Sequence, residues 1–303
     1  FRRLKLIINI KAEKINSALA ENIEKIHSNI PGLQKITELD PIFAGGYSMA
    51  LLFAPREPGN VTKIKTDYYS DFDVYFESES NALEAISVLS EFSSQEIYRT
   101  KNAATIMVDK LDNAENPTAF QIISKIQGKA TDILESFDFV NCAVAYTPKR
   151  KSFYLHKDAP KFHRERVLQI LKPWMLEQCL SAEASTSTDA LEQNIVVQLA
   201  RFKKYANRWE YALSDESFKK LISVYEKFPN IVTKSNIAYQ TTGGPYSGAS
   251  YLAYRNQNIW KAMSDLFISH ELWASYKDKA GVIQKTTPQD VPEGDILHEN
   301  VPF

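Results

Sequence analysis

Residues 71–76, Asp71-Phe72-Asp73-Val74-Tyr75-Phe76, alternate acidic and apolar side chains, and this alternation restricts the fold more tightly than any other stretch. Successive side chains on a strand point to opposite faces, so Asp71 and Asp73 share one face while Phe72, Val74 and Phe76 share the other. The apolar face needs a core to cover it. The acidic face must look into a cleft or into solvent. Two neighbouring carboxylates repel unless a cation sits between them, and clustered oxygens suit Mg²⁺, which commonly takes one or two carboxylates together with substrate phosphates. A nucleotide-handling site is the leading reading, and a solvated acidic strand edge is the plain alternative.

A second feature lies upstream. Glycine is scarce, with 10 in the chain, yet Gly45 and Gly46 adjoin between a predicted strand over 41–44 and a predicted short helix over 47–54 that starts near Ser48. A double glycine there lets backbone approach a ligand closely, and the helix N-terminus behind it offers N–H groups and positive dipole to a phosphate. The Ser48 hydroxyl adds a further donor. A tight turn without a ligand explains the pair equally, because glycine supplies positive φ wherever a turn needs it. A third acid, Asp138, stands between Phe137 and Phe139 at the head of a predicted strand over 137–146. An unpaired buried carboxylate is costly, so Asp138 either faces the same cleft or caps the first turn of that strand. Three convergent carboxylates are what two-metal phosphoryl transfer requires.

At 303 residues with 44% hydrophobic composition, the chain can fill one large core or two ordinary ones. The formal net charge of -1 gives no global mark of a nucleic-acid or membrane binder, so any basic surface is local. Cys142 and Cys179 are too few for a disulfide framework or a thiolate zinc site, which favours a reducing, cytoplasmic setting. No apolar run is long enough for a membrane span, and the opening Phe1-Arg2-Arg3-Leu4 lacks the order of a signal peptide. A first residue of Phe instead of Met points to a trimmed or processed piece.

Helical spacing of Ile15, Leu19, Ile23, Ile26 and Ile30 predicts an amphipathic helix over 11–30. A loop is predicted over 55–69, a helix over 81–92, strands over 104–108 and 120–126, a short helix over 131–136 and a strand over 152–156. Beyond residue 160 longer helical patterns take over, at 160–171, 190–213, 216–228 and 259–276, with Ser214 or Asp215 as a cap. The small-polar stretch 181–188 reads as a linker and Thr241-Thr242-Gly243-Gly244-Pro245 as a loop. The expected organisation is α+β: a mixed-sheet catalytic domain over 1–160, an α-helical domain over 161–280, and an extended tail over 281–303.

Taken in order, Ala44-Gly45-Gly46, then Asp71-Phe72-Asp73-Val74, then Phe137-Asp138-Phe139 resemble the DNA polymerase beta-like nucleotidyltransferase superfamily. That family carries a Gly-Gly or Gly-Ser turn, an Asp-hydrophobic-Asp strand and a third acid on a later strand. The resemblance covers residues from about 40 to 150. It implies metal-dependent transfer of a nucleotide from a nucleoside triphosphate to an acceptor hydroxyl, with Mg²⁺ or Mn²⁺ as cofactor. Asp71 and Asp73 then bind both metals, Asp138 binds the catalytic metal and helps deprotonate the acceptor, and Gly45, Gly46 and Ser48 hold the β- and γ-phosphates. The chain departs from the pattern in one respect: 24 residues separate Gly46 from Asp71, so an insertion over 55–69 has to be assumed. Ser136-Phe137-Asp138-Phe139 also resembles nucleotidyltransferase-like proteins of large viruses and phages.

In such enzymes a following helical domain closes over base and triphosphate, and the predicted helix 190–213 is the counterpart. Its stripe Leu191, Ile195, Leu199, Phe202 and Ala206 leaves Arg201, Lys204 and Arg208 on another face. Lys204 is the candidate phosphate ligand and Tyr205 a candidate base platform, against the alternative of a solvated basic face. His156 and His163 lack a Cys or second His at ligand spacing, which argues against zinc. No Gly-x-Ser-x-Gly elbow supports a hydrolase. Single-stranded RNA or tRNA is the favoured acceptor, and small-molecule or protein hydroxyls remain alternatives. The rival from another class is a catalytically inactive subunit that keeps the fold inside a larger assembly.

Overall fold

The computed structural model describes residues 6–16, 18–54, 56–57, 60–64, 71–100, 102–109, 118–171, 201–202, 205–206 and 208–227. The chain divides into two compact units, Phe1–His163 and Arg164–Phe303.

The first unit opens on β1 (Ile7–Lys11), whose isoleucines favour extended backbone. The helix predicted over 11–30 divides into α1 (Ala12–Ile15) and α2 (Leu19–Ser28). Between them Asn16 is extended, and its side chain accepts from the Ala18 N–H at 2.9 Å, a local bond that competes with helix. Then come α3 (Leu33–Thr37), β2 (Ile42–Ala44) and α4 (Gly46–Phe53). The stretch predicted as a loop contains a ladder of β3 (Arg56–Glu57) with β4 (Asn60–Ile64). The acidic strand is β5 (Asp71–Tyr75), and α5 (Glu79–Ser90) follows it, N-capped by Ser78, whose hydroxyl accepts from the Asn81 N–H. The unit continues through β6 (Tyr98–Arg99), β7 (Ala103–Val108), β8 (Thr118–Ile123), α6 (Ala130–Leu134), β9 (Val144–Thr147) and β10 (Ser152–His156) to α7 (Ala159–Arg164).

Eight strands form one mixed sheet in the order β1-β10-β9-β2-β5-β8-β7-β6. Among the described strands of this sheet only β5 and β8 pair in parallel, joined by a crossover that includes α5, β6 and β7. The acidic strand therefore lies inside the sheet, with a neighbour on each side. One face carries an aromatic row across five strands: Phe153, Tyr146, Phe43, Phe72 and Phe120, all buried. Ring centroids are 4.8 Å apart for Tyr146 and Phe153, 6.1 Å for Phe43 and Phe72, and 4.8 Å for Phe72 and Phe120. His27 of α2 and Tyr47 of α4 pack onto this row. Aromatic pairs at such separations add about 0.5–1.5 kcal/mol each beyond the area they bury. The apolar side of Phe72 and Val74 thus finds the core that its spacing demanded.

Two expectations fail in ways the packing explains. Of the strand predicted over 137–146 only the end is extended, as β9. Residues 139–143 form a buried turn closed by the Cys142 and Ala143 N–H groups, both 3.2 Å from Phe139 O. An apolar run reads alike whether it becomes a strand or a buried turn. The helix predicted over 160–171 stops at Arg164. Arg166 then adopts φ 56 and feeds the short strand β11 (Val167–Leu168).

In the second unit, β11 pairs in parallel with β12 (Ala212–Leu213), where helix had been expected to run on to residue 213. The helical turn at 208–209 ends before Glu210, which sits at φ 52. Helix α8 (Asp215–Lys227) starts where Ser214 caps it, accepting from the Ser217 N–H at 3.1 Å. Ser217 in turn ties α8 to β11, donating to Leu168 O and accepting from the Ile170 N–H. The linker 181–188, most of the helix 190–213, the loop 241–245, the helix 259–276 and the tail 281–303 lie outside the described residues.

Candidate functional site

The geometry of β5 follows its sequence: Asp71 and Asp73 are half-buried, while Phe72 and Val74 between and after them are buried. The parallel register sets Ala119 beside Asp71 and Gln121 beside Asp73. Neighbours in register share a face, so Gln121 stands on the acidic side of the sheet. Its amide reaches along the strand and donates from Nε2 to Asp71 Oδ2 at 2.7 Å.

The double glycine lies next to this pair. Gly45 caps α4 with φ 80 and ψ -134, a region essentially closed to other residues. A Cβ at Gly45 would stand 3.3 Å from the Phe137 ring and 3.6 Å from Asp73 Oδ2. The positive φ and the nearby Phe137 ring favour glycine here, and the turn lies against the Asp73 carboxylate. The N–H of Gly45 is committed to Val144 O at 2.9 Å, so this residue contributes conformation and not a donor to a ligand. Gly46 is the first residue of α4, and the Met49 N–H closes the first turn on Gly45 O at 2.9 Å. The amides ahead of Met49 stand at the helix N-terminus, where positive partial charge gathers.

Ser48 does not take the expected place. It is fully buried and its hydroxyl donates to Phe43 O at 2.7 Å, bracing the strand-to-helix turn from inside. Asp138 sits half-buried on a bend ahead of the 139–143 turn, beside Phe137. Among the described residues no group of three or more His, Cys, Asp or Glu side chains is arranged to hold a metal ion. The pair Asp71 and Asp73 fits a divalent cation on its own chemistry, two hard oxygen side chains on one strand face beside a turn that carries no Cβ.

Behind α4, His27 Nε2 and the Tyr47 hydroxyl share a buried hydrogen bond of 2.9 Å, and burial pushes the His27 imidazole down to about 4. His163 donates from Nε2 to Asn141 O at 3.1 Å and stacks on Phe53. Burial holds it at about 4 despite that bond. His156 is also lowered by burial, with Asp158 opposing the shift. These histidines are core groups. Tyr205 is buried, with the Arg201 guanidinium 5.7 Å from its ring. Lys204 lies outside the described residues. Sequence reading missed Gln121. The signal for Gln121 was one polar residue among Phe120, Ile122 and Ile123, which becomes meaningful only once β8 is set beside β5.

Fold and site together define an α+β protein whose mixed sheet carries an acidic pair on an interior strand beside a glycine turn. The chain belongs to the Gabija anti-defense 2 family, whose model matches residues 11–165. It is 27% identical over 155 residues to "Gabija anti-defense 2" of Bacillus phage SPbetaL7, an alignment that covers 50% of this chain and 32% of that relative. The chain thus spans about a third of the curated relative it matches. Among solved structures it is similar to the Thermotoga maritima CCA-adding enzyme complexed with tRNA, with a TM-score of 0.49 and 14% identity over 89% of this chain and 55% of that one. It is also similar to the Bacillus stearothermophilus CCA-adding enzyme in complex with CTP, with a TM-score of 0.39 and 9% identity over 82% of this chain and 50% of that one. No helix among the described residues is long and apolar enough to cross a membrane.

Proposed function

We propose that this chain binds a nucleoside triphosphate at the Gly45 turn and transfers its nucleotide to an acceptor hydroxyl, in the service of a phage countering Gabija defence. The observation that carries the reading is the placement of Asp71 and Asp73 on one face of an interior strand, with Gly45 in a glycine-only conformation against Asp73. The family name supports the anti-defence role. In the reaction the acceptor oxygen bonds to the α-phosphorus, the bond to the β-phosphate oxygen breaks, and pyrophosphate leaves. The acceptor's proton passes to a carboxylate or to water. The Gly46 end of α4 offers amides and dipole to the phosphates. Asp71 and Asp73 are the residues that would hold Mg²⁺ or Mn²⁺, and the ion's chemistry there is to offset charge on the triphosphate and the leaving pyrophosphate. Asp138 is the proposed acceptor-side acid. RNA is the first acceptor to test.

A second reading is nucleotide binding without transfer, since no group of three metal-ligating side chains stands among the described residues. One experiment separates the readings. The full chain is incubated with each α-32P nucleoside triphosphate, Mg²⁺ or Mn²⁺, and total RNA, beside an Asp71→Asn/Asp73→Asn variant. Phage plating on cells carrying Gabija is scored for both proteins. Label transfer and anti-defence that both require the acids support the enzyme. No label transfer by either protein, with nucleotide binding and protection that both require the acids, overturns it in favour of the binding role.

A further inference from the structure

We infer that Gln121 is a positioning residue that orients the Asp71 carboxylate toward a cation, an inference that rests on the reading of the acidic pair as a metal-nucleotide site. Asp71 is the first residue of β5, and its half-buried side chain stands at the end of the acidic face. The strand of Gln121 is held on both sides, by Asp73 of β5 and Thr105 of β7 in register, and the flanking Phe120 and Ile122 are fully buried on the aromatic face. The amide is therefore projected from a fixed backbone. At 2.7 Å its N–H to Asp71 Oδ2 is at the short end of the range, as expected for a carboxylate acceptor.

The residue type matters. A lysine or arginine at 121 would orient Asp71 but cancel the charge that attracts a cation. A glutamate would repel Asp71. Glutamine donates while leaving both negative charges in place, which suits a site that must stay ready for a metal ion. The bond also fixes the amide's own orientation, since only its nitrogen can meet an ionised carboxylate.

The test is Mn²⁺ binding by the full chain, read by electron paramagnetic resonance without turnover, together with thermal melting. Gln121→Leu and Gln121→Met keep the volume and remove the donor. Both are expected to melt as wild type and to bind Mn²⁺ about tenfold more weakly or worse, the usual cost of losing an outer-shell partner. Folded variants that bind Mn²⁺ as tightly as wild type overturn the inference. If Asp71→Asn/Asp73→Asn leaves Mn²⁺ affinity unchanged, the metal-site reading itself fails, which is a different result. In the wild-type chain the Gln121 side-chain amide resonance should shift when Asp71 becomes Asn; an unmoved resonance counts against the inference whether or not either variant folds.

Discussion

The Tyr47 hydroxyl lies 2.9 Å from His27 Nε2 inside a cluster of rings beneath the first turn of α4. This bond ties α2 to the helix that presents the glycine turn. Replacing Tyr47 with Phe leaves the buried imidazole without this partner, and the expected loss is about 1–3 kcal/mol in urea unfolding. A smaller change would show that water reaches His27.

Acid should weaken the fold. His27 and His163 take up protons near pH 6.5 when unfolded but only near about 4 when folded, because burial penalises the imidazolium. Between those values the unfolded chain binds more protons, so stability is full above about pH 6.5 and falls as pH drops toward about 4. Each group accounts for up to about 3 kcal/mol across the window. Denaturation midpoints compared at about pH 7.5 and about pH 5 should differ, and His27→Gln should flatten the slope by about half. A pH-independent midpoint would contradict burial of these rings.

Gly45→Ala should both destabilise the fold and disturb the site. The φ of 80 is strained for any side chain, and the new methyl would press on the Phe137 ring and touch Asp73. A cost of about 1–3 kcal/mol is expected, with weaker nucleotide binding by calorimetry. Wild-type stability would mean that the turn can flip without cost.

Ser48→Ala separates a structural from a phosphate-binding serine. The hydroxyl bonds Phe43 O in the interior, so its loss should lower stability by about 1 kcal/mol and leave nucleotide affinity unchanged. Weakened nucleotide binding at unchanged stability would restore the phosphate role.

Asp71→Asn and Asp73→Asn should each reduce label transfer on the order of 100-fold or more, because charge offset at the triphosphate is worth several kcal/mol. Melting temperatures should hold or rise, since a repulsive pair has been relieved. Retained transfer in either variant would locate the chemistry elsewhere.

Local signals were legible where one face of an element met the core. The alternation in β5 and the cap at Ser214 could be read from spacing and residue type, because each depends on contacts a few residues apart. The turn at 139–143 could not, since its apolar residues would be buried in either conformation. Nor could β1, whose partner β10 lies far along the chain and supplies the ladder that fixes it. At the site, Gly45 and the acid pair announced themselves. Gln121 acquires meaning only from a parallel register closed over a long crossover, and the inward turn of Ser48 depends on the carbonyl of Phe43 facing it.

The aromatic row has a consequence for errors of alignment. Were β5 to slide by one residue against its neighbours, Phe72 and Val74 would swing to the acidic side and both aspartates would be driven among Phe43, Phe120 and Tyr47. That arrangement strands charge among hydrocarbon rings and exposes phenylalanine to water at once. The row acts as a ratchet: the stacking of rings on one side of the sheet decides which carboxylates can ever meet a ligand on the other.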